Sequence, residues 1–300
     1  AKTTAMPIME TPRFAEILVH GSDAIAFLHS QLTCDVKALA PGACQFGGYC
    51  GADGRVQALL LLARIGESEF CMLLPDALAL PVLERLNRFR LRARCTLAAS
   101  GVEISAATGD SQSASHTRLW QHAGFSWRVR TLPAGTTPPP LAGDLWGEQV
   151  ALGIPWLLPA TSERFLPQML GLDRLHAFSL RKGCYPGQEV IARTHYLGRS
   201  KRRLVRVQAQ GPAQAKAGNE LSRDDDEATA GTLVALDLHG AGLAVVPESA
   251  TVGAIMRVRD AGNIATFVIE SDISGTIRDI SLNGCRPPHP AHSVSLSKVV

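Results

Sequence analysis

Arg181-Lys182-Gly183-Cys184-Tyr185-Pro186-Gly187-Gln188-Glu189 gathers a thiol, two cations, an aromatic ring, an amide and a carboxylate between two glycines and a proline. Gly and Pro punctuate a chain, so the backbone here is expected to bend rather than continue one element. Pro186-Gly187 reads as a turn feeding a new segment, Gln188 to Tyr196, that suits either a helix or a short strand. A bent loop can present Cys184 to solvent, and Arg181 and Lys182 beside it would favour the reactive thiolate. Gly183 and Gly187 would let backbone N–H groups approach a ligand closely. The competing reading is a tight turn around an inert thiol, because free cysteine is among the most buried residue types. Local chemistry alone leans toward that second reading.

Residues 12–20 read as a strand, and Gly21-Ser22-Asp23 caps a helix running through Gln31 with Ala24, Phe27, Leu28 and Leu32 on one face. Residues 45–51 and 55–64 read as strands around the turn Ala52-Asp53-Gly54. A third strand spans Glu69 to Leu74. Pro81 is expected to open a helix from Val82 to Leu91, with Val82, Leu83, Leu86 and Phe89 inward. Two short strands follow at 94–99 and 101–107, then a Ser/Gly/Ala-rich loop at 109–116. An edge strand is expected near Trp127-Arg128-Val129-Arg130, a stiff excursion at Pro133 to Pro140, and a helix from Asp144 to Leu152. From Leu204 onward the pattern changes to short β segments, 204–209, 231–237 and 242–246, with Asp224-Asp225-Asp226-Glu227 as a solvated hairpin loop.

Lys182-Gly183-Cys184-Tyr185, Gly187-Gln188-Glu189 and Ile191-Ala192-Arg193, together with Leu32-Thr33-Cys34-Asp35-Val36, resemble the signature of the YgfZ family. These are folate-binding proteins related to the T-protein, the aminomethyltransferase of the glycine cleavage system. The resemblance spans roughly Phe14 to residue 270 and is densest at 165–203. It implies an α+β fold with a T-protein-like three-domain ring and a small C-terminal β-barrel. Residues 1–44 plus 141–203 would form domain 1, 45–140 a ferredoxin-like α+β domain 2, and 204–270 the barrel, leaving 271–300 as a tail.

The resemblance also implies a cofactor, tetrahydrofolate or another reduced folate, and a set of residues to hold it. Cys184 is the functional thiol at the cavity mouth, with Lys182 as its activating cation. Phe14, Trp146, Tyr185, Gln188, Glu189 and Arg193 would contact the folate, although counting back from Gly153 puts the family's tryptophan position at Leu145. The T-protein's paired acids match Ala58 and Leu59 here, and neither side chain can transfer a proton. A classical aminomethyltransferase is therefore not expected. The implied role is support of iron–sulfur cluster assembly or repair, and through it tRNA modification. Its partners would be iron–sulfur enzymes or assembly factors, with tRNA involved indirectly. The alternatives are a folate-dependent one-carbon transferase using Glu189 or Asp35, and a basic tRNA-binding module.

Composition bounds these readings. Three hundred residues, 46% of them hydrophobic, can fill two or three cores. No apolar run reaches the length of a membrane span, and the N-terminus lacks the apolar stretch of a secretory signal. A cytoplasmic setting is expected. Seven cysteines, an odd number with no C-x-x-C pair, suggest neither a disulfide framework nor a metal site. Net charge is only +3, yet eight cations lie between Arg181 and Arg206 with Glu189 as the sole acid.

Overall fold

The computed structural model describes residues 11–107, 117–122, 125–198, 200–211, 214–223, 229–260 and 263–273. The expected 109–116 loop, the acidic run 224–227 and all but the first three residues of the 271–300 tail lie outside these. The chain folds into a seven-stranded antiparallel sheet, a mostly irregular connecting region with two short helices, and a closed barrel. Mixed α and β structure ending in a small barrel is what the sequence led us to expect.

The sheet comprises β1 (Phe14–His20), β2 (Cys44–Cys50), β3 (Val56–Gly66), β4 (Glu69–Pro75), β5 (Thr96–Ala106), β6 (Thr117–His122) and β7 (Phe125–Thr131). Its order is β2-β3-β4-β1-β5-β7-β6. β1 therefore runs between β4 and β5, with Phe14 opposite both Pro75 and Val102. The sequence division at residue 44 had set this strand apart from 45–140, whereas the hydrogen-bonded ladder joins it to strands on that side. β3 is a run of Leu and Ala buried from Val56 to Ala63, the composition of a strand covered on both faces. Phe14, Phe46, Phe125, Trp127 and Trp156 pack as one aromatic cluster, with Phe14 edge-on to Trp156 at 5.1 Å.

Three local expectations are corrected. The helix α1 (Ala24–Gln31) stands as read, but α2 begins at Asp76 and runs to Arg90, with Pro81 inside it. Pro81 lies on the exposed side, so the carbonyl it cannot satisfy faces water rather than the core. The buried face runs through Leu78, Ala79, Val82 and Leu86, and Phe89 is half exposed. β5 is one strand rather than two. Ser100-Gly101 does not break it, because both residues pair with β1, and Gly101 is small where Pro138 crosses: a Cβ there would meet Pro138 at 3.1 Å. Finally, β7 is interior, and β6 takes the edge.

The barrel order is β10-β11-β8-β13-β12-β9. Its strands are β8 (Arg202–Ala209), β9 (Glu220–Arg223), β10 (Thr229–Leu236), β11 (Ala241–Pro247), β12 (Ile255–Asp260) and β13 (Asn263–Asp272). Val205, Val207, Leu233, Val246, Met256 and Phe267 fill the interior, while Leu204, Val234, Leu243 and Val245 belong to the larger core outside it. Between sheet and barrel lie α3 (Gly143–Ala151) and α4 (Gln188–Leu197). No helix among the described residues is long and apolar enough to cross a membrane.

Candidate functional site

The block 32–36 leaves α1 and is sewn to the segment that leads into the thiol loop. The Thr33 hydroxyl donates to the Ala177 carbonyl at 2.6 Å and accepts from the Gly48 amide at 2.7 Å. The Ser179 amide donates to the Thr33 carbonyl at 2.8 Å. Because the Thr33 amide is spent on Gly48, the His29 carbonyl has no helical donor. Lys182 supplies one: its ammonium donates to the carbonyls of both His29 and Leu32. A cation on the last carbonyls of a helix is favourable through both hydrogen bonding and the helix dipole.

This reassigns Lys182. It was expected to activate Cys184, but its ammonium is engaged at the end of α1 and stands 5.0 Å from the centre of the Tyr185 ring. The residue is 8% exposed, and burial holds its pKa down to about 8. The thiol that feels this cation is Cys34, which is fully enclosed and which burial nevertheless pushes up to about 12. Gly183 explains the divergence. With φ +98° it turns the chain between Lys182 and Cys184, so the two side chains part.

Cys184 is exposed, whereas Cys34, Cys50, Cys71 and Cys95 are buried. It lines an open cleft of about 410 Å3 with Ala52, Tyr185, Gly187, Gln188, Glu189 and Ala192. The cleft lies at the N-terminal turn of α4, where Gly187 forms the cap at φ +79°. Its position is set by backbone contact. A Cβ on Gly187 would come within 2.5 Å of the Gly51 oxygen and the Gly54 Cα, so only glycine lets the β2–β3 turn close onto α4. Gln168 Nε2 donates to the Ile191 carbonyl at 2.8 Å and ties α4 back to the 3-10 turn Pro167–Leu170.

The expected contact residues divide into two groups. Tyr185, Gln188 and Glu189 line the cleft with Cys184. Tyr185 is 6% exposed, its hydroxyl finds no partner among the described residues, and burial raises its pKa. Arg193 sits one turn along α4 and pairs with Glu189 at 2.9 Å, an exposed pair that contributes little to stability. Phe14 and Trp146 do not reach the cleft. Phe14 is 1% exposed within the aromatic cluster. Trp146, 3% exposed, docks α3 on the barrel by donating from Nε1 to the Leu236 carbonyl at 2.9 Å. Leu145, the other candidate for that position, is buried as well. Ala58 and Leu59 are fully enclosed in β3.

Sequence reasoning missed Ala52, which lines the cleft, and His29, which holds the loop. The signal for His29 was its place in the last turn of a readable helix, directly before the Leu-Thr-Cys-Asp-Val block. Chemically, the site offers a solvent-accessible thiol, an amide, a carboxylate and the first turn of a helix. Among the described residues, no three His, Cys, Asp or Glu side chains gather as a metal ion would require.

Comparisons with known proteins agree with this architecture. Residues 2–110 match the GCVT N-terminal domain. A protein called tRNA-modifying protein YgfZ from Shigella boydii is 26% identical over 303 residues, covering 86% of this chain and 90% of its own. The YgfZ of Aliivibrio fischeri is 25% identical over 276 residues, covering 80% and 85%. An uncharacterized protein of Haemophilus influenzae is 29% identical over 209 residues, covering 68% and 74%. Among solved structures, the glycine cleavage system aminomethyltransferase T from Bartonella henselae superposes with a TM-score of 0.65 over 87% of this chain and 84% of its own, at 14% identity. The chain is therefore similar to the YgfZ proteins over most of its length and has the fold of the glycine cleavage T-protein.

Proposed function

We propose that this chain is a reduced-folate-binding accessory protein whose working group is the Cys184 thiol. It would serve iron–sulfur enzymes or their assembly factors and, through them, tRNA modification in the cytoplasm. The observation that carries the reading is the exposure of Cys184 in a cleft shared with Tyr185, Gln188 and Glu189. The proteins named tRNA-modifying YgfZ support the tRNA end of it.

The cleft residues suit a folate head group. Glu189 and Gln188 offer the carboxylate and amide that an aminopyrimidine edge can pair with, and Tyr185 provides a largely apolar wall. Arg193, already drawn to one carboxylate, is placed to attract an anionic tail. Phe14 and Trp146 contribute nothing to this lining. When bound, a reduced folate supplies a one-carbon carrier. The chain's own contribution is to orient that carrier beside a thiol, with alanine and leucine where the T-protein has its acids.

Glu189 in the cleft favours one alternative, a one-carbon transferase using that carboxylate. The basic tRNA-binding module draws less support, because part of its stripe is engaged within the chain. Lys182 donates to the His29 and Leu32 carbonyls, Arg203 pairs with Glu248, and Arg206 donates to the Ala151 carbonyl. The test is thermal unfolding with tetrahydrofolate. At a hundredfold excess over its dissociation constant, binding to the native state contributes about 2–3 kcal/mol. No shift with any reduced folate overturns the proposal.

A further inference from the structure

We infer that His29 is the positioning residue for the Cys184 thiol, an inference that rests on the functional reading of that thiol. His29 stands in the last turn of α1, 153 residues before Lys182 in sequence, and its imidazole is largely buried. Nε2 lies 2.6 Å from the Lys182 carbonyl oxygen. A carbonyl only accepts, so Nε2 carries the hydrogen and donates it. The other ring nitrogen, Nδ1, is buried without a hydrogen-bond partner among the described residues and faces Asp35 Oδ1 at 3.5 Å. The ring is thus set between a carbonyl and a carboxylate.

The contact is reciprocal. While the His29 side chain holds the Lys182 main chain, the Lys182 side chain holds the His29 main chain. Two hydrogen bonds between one pair of residues fix both the position and the direction of the loop where it leaves Lys182. The thiol needs such a fixture. A Cβ on Gly183 would meet nothing within 4 Å, and Cys184 is exposed, so neither residue is held by packing. The loop is anchored at its ends, by Lys182 against α1 and by Tyr185 in the core. His29 acts on Cys184 through the first of these anchors and does not itself line the cleft.

The test compares full-length wild type with His29→Leu and His29→Gln by peptide-resolved hydrogen exchange. It adds complementation of a strain lacking its own YgfZ, with Cys184→Ala as the inactive reference. A glutamine amide can reach the Lys182 carbonyl and donate as Nε2 does, whereas leucine cannot. His29→Leu should speed exchange of the Ser179 and Arg181 amides, the bonded donors of the segment that enters the loop, about fivefold, the factor a single hydrogen bond sets, and lower complementation toward the Cys184→Ala level. His29→Gln should restore both, which a general packing role for the ring would not permit. Unchanged exchange in His29→Leu overturns the inference. So does His29→Gln behaving like His29→Leu, or full complementation by a His29→Leu protein whose loop exchange is raised. If Cys184→Ala itself complements fully, the functional reading of the thiol falls, and the exchange data alone decide whether His29 holds the loop.

Discussion

Replacing Gly187 with alanine should cost far more than the same change at Gly183, though the two glycines are four residues apart and both have positive φ. At Gly187, φ +79° imposes a left-handed strain of about 1–2 kcal/mol on any L residue. The added methyl would also stand 2.5 Å from the Gly51 oxygen, 2.5 Å from the Gly54 Cα and 2.7 Å from the Gly54 nitrogen. All three are backbone atoms of a turn locked between β2 and β3, so they cannot swing aside as a flexible side chain would. Overpacking of this kind costs about 1–3 kcal/mol more. The total for Gly187→Ala is therefore about 2–5 kcal/mol. Gly183, at φ +98° with open space around it, incurs only the same strain of about 1–2 kcal/mol. Urea unfolding of both variants measures the difference directly. Alkylation of Cys184, followed on its own peptide, reports whether the cleft has moved. Gly187→Ala should lose more stability and also change the alkylation rate. Equal stability losses and an unchanged rate would refute the claim that the β2–β3 turn sets the position of α4.

Phe14→Ala should destabilise by about 3–5 kcal/mol in urea unfolding, as loss of a core ring does; a ring that served mainly as a ligand contact would leave stability nearly intact. Trp146→Phe should cost about 1–3 kcal/mol by leaving the Leu236 carbonyl without its donor, measured the same way. Lys182 makes stability depend on pH. Burial lowers its folded pKa from 10.5 to about 8, so between those values the unfolded chain binds more protons, and stability rises with pH. After allowance for solvent screening and for the two carbonyls that favour the charged form, the rise is about 1 kcal/mol. Comparing unfolding midpoints at pH 7.5 and 9.5 should show this rise in wild type and its absence in Lys182→Met.

The elements that announce themselves by local pattern were legible. α1, the hairpin strands β2 and β3, and the barrel strands β8, β10 and β11 lie within a few residues of where periodicity and turn residues put them. β1 shows what was not legible. Its pattern marks a strand, but nothing local says that Phe14 pairs with both Pro75 and Val102. The same gap explains the aromatic residues. Phe14 and Trp146 have the right chemistry for stacking on a flat ligand and equally for filling a core, and only long-range packing decides between them. Lys182 was misjudged for a different reason. It is two residues from Cys184 in sequence, yet a positive-φ glycine between them turns it onto α1, and sequence proximity did not become spatial proximity. Cys184 itself, Tyr185, Gln188 and Glu189 were legible as one group because a single short loop and the helix it caps carry them all.

The most direct test of the central claim is complementation by Cys184→Ser, scoring iron–sulfur enzyme activity and thiolated tRNA in a strain without its own YgfZ. Cys184 is exposed and lies in no core, so the variant should fold with an unchanged melting temperature. If the thiol is the working group, the variant nonetheless fails to restore either activity. A Cys184→Ser protein that restores both to the wild-type level would contradict it.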